Sequence, residues 1–149
     1  MKIISKTSLI LFVTLTIVSC SKSNSDETTL GNCATVCTYT IASGEKAATV
    51  PNSLDGTYEL TYHSAQAGSP YTNGTKAKFT ISNNTLTVEI EGKDCITIKN
   101  PVLIGSNNYK FKDSCRDNIA FNVSPNNNGD FNEINVEPLG TGWFGQFSK

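Results

Sequence analysis

The sequence predicts an all-β domain built as an antiparallel up-and-down barrel of eight or nine strands, with a β-sandwich as the alternative. Three observations lead there. From Leu54 to Lys149 short runs of alternating apolar and polar residues recur. Gly, Asn, Ser, Asp or Pro breaks each run from the next. No stretch carries an amphipathic helical pattern longer than a turn or two. Strands this short and this evenly spaced each have one face to bury, and a barrel or sandwich gives those faces one core. Closure also removes exposed edges, which favours the barrel.

The first strand is expected at Thr57–His63, where Tyr58, Leu60 and Tyr62 alternate with Glu59 and Thr61. Lys76–Ser82 and Thr85–Glu91 follow, joined by Asn83-Asn84, a pair suited to a tight hairpin turn. Cys95–Lys99, Val102–Ile104, Asn108–Lys112, Asn118–Val123, Phe131–Val136 and Gly142–Phe147 complete the set. Turn residues separate them at Asn73-Gly74, Gly105-Ser106-Asn107-Asn108 and Asn126-Asn127-Asn128-Gly129-Asp130. The opening Leu54-Asp55-Gly56-Thr57-Tyr58 and the closing Gly142-Trp143-Phe144-Gly145-Gln146-Phe147 resemble the first and last strands of lipocalin-like domains. That resemblance implies a small barrel that holds a ligand or is filled by its own side chains.

The chain ahead of this domain has a different character. Lys2 and Lys6 bracket a positive start, and Thr7–Val18 is uncharged. That run is about 12 residues, short of the ~20 a membrane-spanning helix needs and suited to a signal-peptide core. It ends in Ile17-Val18-Ser19-Cys20, which resembles the lipobox of bacterial lipoproteins. The resemblance implies cleavage of residues 1–19, a diacylglycerol on the Cys20 sulfur and an acyl chain such as palmitate on the new amino terminus. One chain anchors only marginally, and two or more anchor stably. Residues 20–32 then read as a polar, Ser-rich tether that reaches roughly 40 Å when extended. Ser21, rather than Asp, follows the cysteine, unlike the inner-membrane retention signal of such lipoproteins. Asp26-Glu27 is similar to the acidic export signals of surface lipoproteins in the Bacteroidota. The expected location is the cell envelope, at the outer rather than the inner membrane, facing the periplasm or the surface.

Residues 33–53 form a Cys-containing segment ahead of the β domain at 54–149. With Cys20 given to lipid, Cys33, Cys37, Cys95 and Cys115 remain, an even number in an exported chain, so two disulfides are expected. Three connectivities are open. A turn at Ser106-Asn107 would set Ile104 opposite Tyr109 and Val102 opposite Phe111. Continued past a bulge at Pro101, that register brings Cys95 toward Cys115 and favours the local pairs 33–37 and 95–115. A zinc site is disfavoured, because only the first pair has knuckle spacing.

Charge and side-chain chemistry narrow the function. Cleavage removes Lys2 and Lys6 from 12 basic residues and no acid, leaving 10 against 13. Nucleic acid is therefore not an expected partner, since its binding calls for a basic stripe. His63 is the only histidine and has no nucleophile and acid in a recognisable context. Glu59, Glu89, Glu91 and Asp94 could supply paired carboxylates for glycoside hydrolysis, but Glu89 and Glu91 are expected to share the outer, solvated face, which disfavours a glycosidase. Asn126, Asn128 and Asp130 offer oxygens for calcium, although a hairpin turn explains them as well. Arg116, the only arginine, lies among Asp113, Cys115 and Asp117, suited to an ion pair or a turn charge. Tyr62, Tyr71, Trp143 and Phe144 are candidates for an aromatic contact patch, against the commoner role of core. No cofactor and no catalytic residue is expected. The expected function is a lipid-anchored, non-catalytic binding module for a small or hydrophobic ligand or a partner protein. The alternative is a structural or interaction lipoprotein with a filled core, and an enzyme or enzyme inhibitor is the least supported class.

Overall fold

The computed structural model describes residues 33–149; the expected signal peptide, the lipidation site Cys20 and the tether lie outside the described residues. Ten strands make up the described chain. They are β1 (Thr35–Thr38), β2 (Gly56–His63), β3 (Lys76–Ser82), β4 (Thr85–Ile90), β5 (Ile96–Lys99), β6 (Val102–Ile104), β7 (Asn108–Asp113), β8 (Ile119–Pro125), β9 (Phe131–Pro138) and β10 (Gly145–Ser148). They form one sheet in the order β1-β5-β4-β3-β2-β10-β9-β8-β7-β6, curled into a half-barrel. The fold is all-β, with one 3-10 turn at Asn52–Leu54.

Strands β2 to β10 are the nine that the alternation predicts, and β3 and β6 match their expected bounds at both ends. Each meander step is antiparallel, and β10 closes onto β2 through Gln146 opposite His63 and Phe147 opposite Tyr62. The turn Asn83-Asn84 holds both residues at positive φ, 49° and 62°, the two-residue geometry that suits the twist of a hairpin. Strand β10 begins three residues later than expected. The Phe144 N–H is donated to Gln66 Oε1 at 3.0 Å instead of to a ladder partner.

One seam is left in this cycle, between β5 and β6, which follow one another in sequence yet lie at opposite ends of the nine-strand order. Asn100, at φ 61°, and Pro101 turn the chain there, so β5 pairs with β4 while β6 pairs with β7. The N-terminal segment fills the seam. Strand β1, which the sequence analysis did not foresee, runs parallel to β5, with Cys37 opposite Ile98. Farther along, Ala47 bridges Val102, the Leu103 N–H is donated to Lys46 O at 2.8 Å, and the Ala48 N–H to Pro101 O at 2.9 Å. Asn84 secures the same strap: its Oδ1 accepts from Val50 N at 2.9 Å and its Nδ2 donates to Ala48 O.

The disulfides correct the expected pairing. Cys33 joins Cys95 and Cys37 joins Cys115, with Cα separations of 5.3 and 5.8 Å. Cys33 and Cys37 cannot pair locally on an extended segment, where four residues span roughly 13 Å, beyond the ~7 Å reach of a disulfide. Cys95 and Cys115 belong to neighbouring turns, and each is bonded to a cysteine of the N-terminal segment instead of to the other. The β6–β7 register also differs from expectation. Ile104 faces Asn108 and Val102 faces Lys110 across the three-residue loop Gly105-Ser106-Asn107.

Inside the curl the inward residues form one core. Tyr62, Phe79, Phe111, Phe121 and Phe147 are its largest fully buried side chains. Their rings interlock, Phe79 on Phe147 at 5.1 Å, Tyr62 on Phe147 at 4.8 Å and Phe79 on Phe121 at 6.1 Å, arrangements each worth about 0.5–1.5 kcal/mol beyond area burial. The long β2–β3 connection folds back to cap one end. There Tyr71 is buried against Tyr62, and Ser69 Oγ lies 2.7 Å from the Tyr62 hydroxyl.

Candidate outer-face binding site

Period-two alternation sends every second residue of each strand outward, and the registers decide which of these meet. Across five neighbouring strands one row forms: Lys110 on β7 faces Asn122 on β8, Asn122 faces Asn135 on β9, Asn135 faces Gln146 on β10, and Gln146 faces His63 on β2. Asn is depleted in strands, so Asn122 and Asn135 in the middle of β8 and β9 are poor choices for the sheet itself.

Two carboxylates set the orientation of this row. Glu137 accepts from Lys110 Nζ at 2.6 Å and from Asn122 Nδ2 at 3.2 Å. Glu133 accepts from Asn135 Nδ2 at 2.9 Å and from Gln146 Nε2. Burial pushes the Glu137 carboxyl upward, but the hydrogen bonds from Lys110 and Asn122 outweigh it and hold it below its ordinary value. Asn135 Nδ2 also donates to Ser124 Oγ at 3.3 Å, whereas Asn122 and Gln146 each spend one of two amide N–H groups on a carboxylate. Asn122 Oδ1 is buried and has no hydrogen-bond partner among the described residues, a condition that costs about 1–3 kcal/mol.

Lys110, Asn122 and Asn135 of this row, with Glu137, line an open cleft of about 310 Å³ on the outer face of the sheet. Ile104 and Phe144 border it, 42 % and 39 % exposed, and they are two of the three large hydrophobic side chains exposed among the described residues. A cleft with a fixed polar floor and apolar rims orients and desolvates a ligand without rearranging itself.

The residues singled out from sequence fall elsewhere, with two exceptions, His63 and Phe144. His63 ends the row and is exposed. Of the aromatic quartet, Tyr62 and Tyr71 are core; Trp143 packs edge-on against Tyr71 at 6.4 Å, and Phe144 alone reaches the outer cleft. Burial raises the Tyr71 phenol far above its ordinary value. Glu59 and Glu89 do share the outer face of β2–β4, where Lys78 stands between them. Lys78 Nζ lies 2.9 Å from Glu89 Oε1 as an ion pair without hydrogen-bond alignment.

Among the calcium candidates Asn126, Asn128 and Asp130, the Asn126 side chain has a structural task. Asn126 Oδ1 accepts the N–H groups of Asn128 and Asp130 at 2.9 and 3.0 Å, so the Asn side chain folds the turn and is spent on its own backbone. Arg116 is likewise structural. It donates to Asp94 O at 2.7 Å and to Asp117 at 3.0 Å, tying the β4–β5 and β7–β8 turns together. Beneath it the buried Asp113 accepts from the N–H groups of Cys115 and Arg116. Cys37, Asp113 and Cys115 approach within ligand range of one another, but the two sulfurs are bonded to each other and offer no thiolate.

Asn122, Asn135 and Gln146 were not among the residues singled out from sequence. A readable signal was present: amide residues outward-facing at strand centres, where Thr or a charged residue is the usual choice. Comparison with protein-family models, curated proteins and solved structures finds no match for this chain.

Proposed function

We propose that the mature chain is a lipid-anchored envelope protein that acts as a non-catalytic binding module through the outer face of its half-barrel. The observation that carries this reading is the Lys110–Asn122–Asn135–Gln146–His63 row, held by Glu133 and Glu137 and bordered by exposed Ile104 and Phe144. The centre of the half-barrel argues in the same direction. Five large aromatic side chains occupy it, so an apolar ligand would enter only by displacing them.

Support for the envelope comes from two sources. The lipobox-like Ile17-Val18-Ser19-Cys20 supplies the anchor. The pairs Cys33–Cys95 and Cys37–Cys115 are chemistry of an oxidising compartment. Both bridges hold the strap at the end of the domain from which the tether departs. The anchor therefore leads into a cross-linked edge strand.

Two measurements test the reading. Fractionation of cells should place the cleaved, acylated wild type with membranes, whereas Cys20→Ala should persist as an uncleaved precursor without lipid. Native mass spectrometry of the purified protein should show two disulfides and no retained apolar ligand. Membrane-bound, processed Cys20→Ala contradicts the anchor, and a co-purifying apolar ligand contradicts the outer-face reading.

A further inference from the structure

We infer that the two bridges differ in redox lability: Cys33–Cys95 is a reducible joint, and Cys37–Cys115 is a permanent lock guarded by Asp113. Both hold the N-terminal segment, yet their sulfurs lie in different surroundings. Cys37 is fully buried, and the Sγ atoms of Cys37 and Cys115 and a carboxylate oxygen of Asp113 lie within 4.8 Å of one another. The Asp113 side chain is 1 % exposed. Arg116 Nε stands 3.7 Å from it and is shared with Asp117 at 3.0 Å, so two acids face one guanidinium beside this bridge. Among the described residues no carboxylate oxygen comes as close to both sulfurs of Cys33–Cys95.

Thiol–disulfide exchange turns on those surroundings. A thiolate attacks one sulfur and expels the other as a thiolate, faster when the leaving thiol has the lower pKa. Cys115 is exposed and Cys37 is not, so a reductant meets this bond from the Cys115 side and must expel Cys37. Burial and the neighbouring carboxylate both disfavour a thiolate there. The Ser114 hydroxyl, 3.9 Å from Cys37 Sγ, is at the outer limit of a hydrogen bond to sulfur.

At the other bridge Cys95 is half-buried and Cys33 is 6 % exposed, so attack falls on Cys95 and Cys33 departs without a carboxylate against it. A thiolate of a dithiol reductant bonds to Cys95 Sγ, and the Cys33–Cys95 bond breaks with its electron pair on Cys33, which takes a proton from water. The second thiolate of the reductant then displaces Cys95, which is protonated in turn, and the reductant leaves as its own disulfide. Two electrons pass from the dithiol to the bridge. The entry to β1 is loosened while Cys37, within β1, keeps the strap in place.

Graded dithiothreitol followed by alkylation of the freed thiols tests this on the purified protein, with peptide mapping to assign each label. The expected result is a species labelled at Cys33 and Cys95 that accumulates before any label at Cys37 and Cys115. Asp113→Asn keeps an oxygen for the N–H groups of Cys115 and Arg116 and removes the charge. It should speed reduction of Cys37–Cys115 roughly threefold to tenfold, the scale of a like-charge shift acting on a leaving thiol. Reduction of Cys33–Cys95 and amide exchange in β1 should stay unchanged in that variant. Labelling of Cys37 and Cys115 first, or of all four cysteines together, overturns the inference. So does an Asp113→Asn variant that speeds both bridges alike, speeds neither, or speeds Cys37–Cys115 only along with faster amide exchange in β1.

Discussion

Gly145 lies directly against the phenol of Tyr62: a Cβ built on Gly145 would overlap the Tyr62 hydroxyl and ring edge. The two residues sit on adjacent strands β10 and β2, and Tyr62 is fully buried. The absent side chain at 145 is what lets the ring lie across β10, reach Ser69 at 2.7 Å and pack on Phe147 and Tyr71.

Gly145→Ala should therefore destabilise the domain by about 1–3 kcal/mol, the range for overpacking a close-packed core. Urea denaturation followed by the fluorescence of Trp143, the only tryptophan, reads the loss. An unchanged midpoint would mean that Tyr62 has another place to go.

Replacing Cys37 and Cys115 together by Ser should cost about 2–5 kcal/mol, the usual range for removing a native disulfide. The bridge closes a sequence separation of 78 residues and fastens the strap to the β7–β8 turn. Amide exchange should rise most at β1 and at Lys46–Ala48. Equal acceleration throughout the sheet would show that the strap does not open separately.

Acid should weaken the hold of the strap through Glu45. Its carboxyl is lowered to about 2, chiefly by the hydrogen bond from Lys112, with further help from Ala42 N and Tyr39. A depressed folded-state value means the stabilisation is fully present above the ordinary value of 4.5 and is lost as pH falls from there toward 2. Thermal midpoints measured from pH 6 to pH 2 should fall through that window. Glu45→Gln should lower the midpoint at pH 6 slightly, by a pair worth about 0.2–1 kcal/mol, and flatten the acid slope. A variant with the wild-type slope would remove Glu45 from the account.

Asn84→Gly keeps the positive φ of the hairpin turn and deletes only the side chain that holds Val50 and Ala48. Two lost hydrogen bonds should cost about 1–3 kcal/mol. Chemical denaturation measures this, and a loss near zero would make those bonds incidental.

The nine strands β2–β10 were legible because each carries its own alternation and ends at residues that favour turns. Strand β1 was not, since Thr35-Val36-Cys37-Thr38 buries only Cys37 and is held by parallel pairing and a disulfide that local pattern does not encode. The local disulfide reading failed because Cys95 and Cys115, in neighbouring turns, are each bonded to a cysteine of the N-terminal segment instead of to the other. The binding row was half legible. Outward positions follow from alternation, but Asn122 meeting Asn135, and Asn135 meeting Gln146, depends on register, which packing of the opposite face fixes.

Carbodiimide labelling of carboxylates, compared between intact cells and the purified protein, tests the outer-face claim most directly. Glu133 and Glu137 should be protected in cells, while Glu59 and Glu91, on the far stretch of the sheet, should label equally in both samples. Equal labelling of Glu133 and Glu137 in cells and in isolation would contradict the assignment of binding to this face.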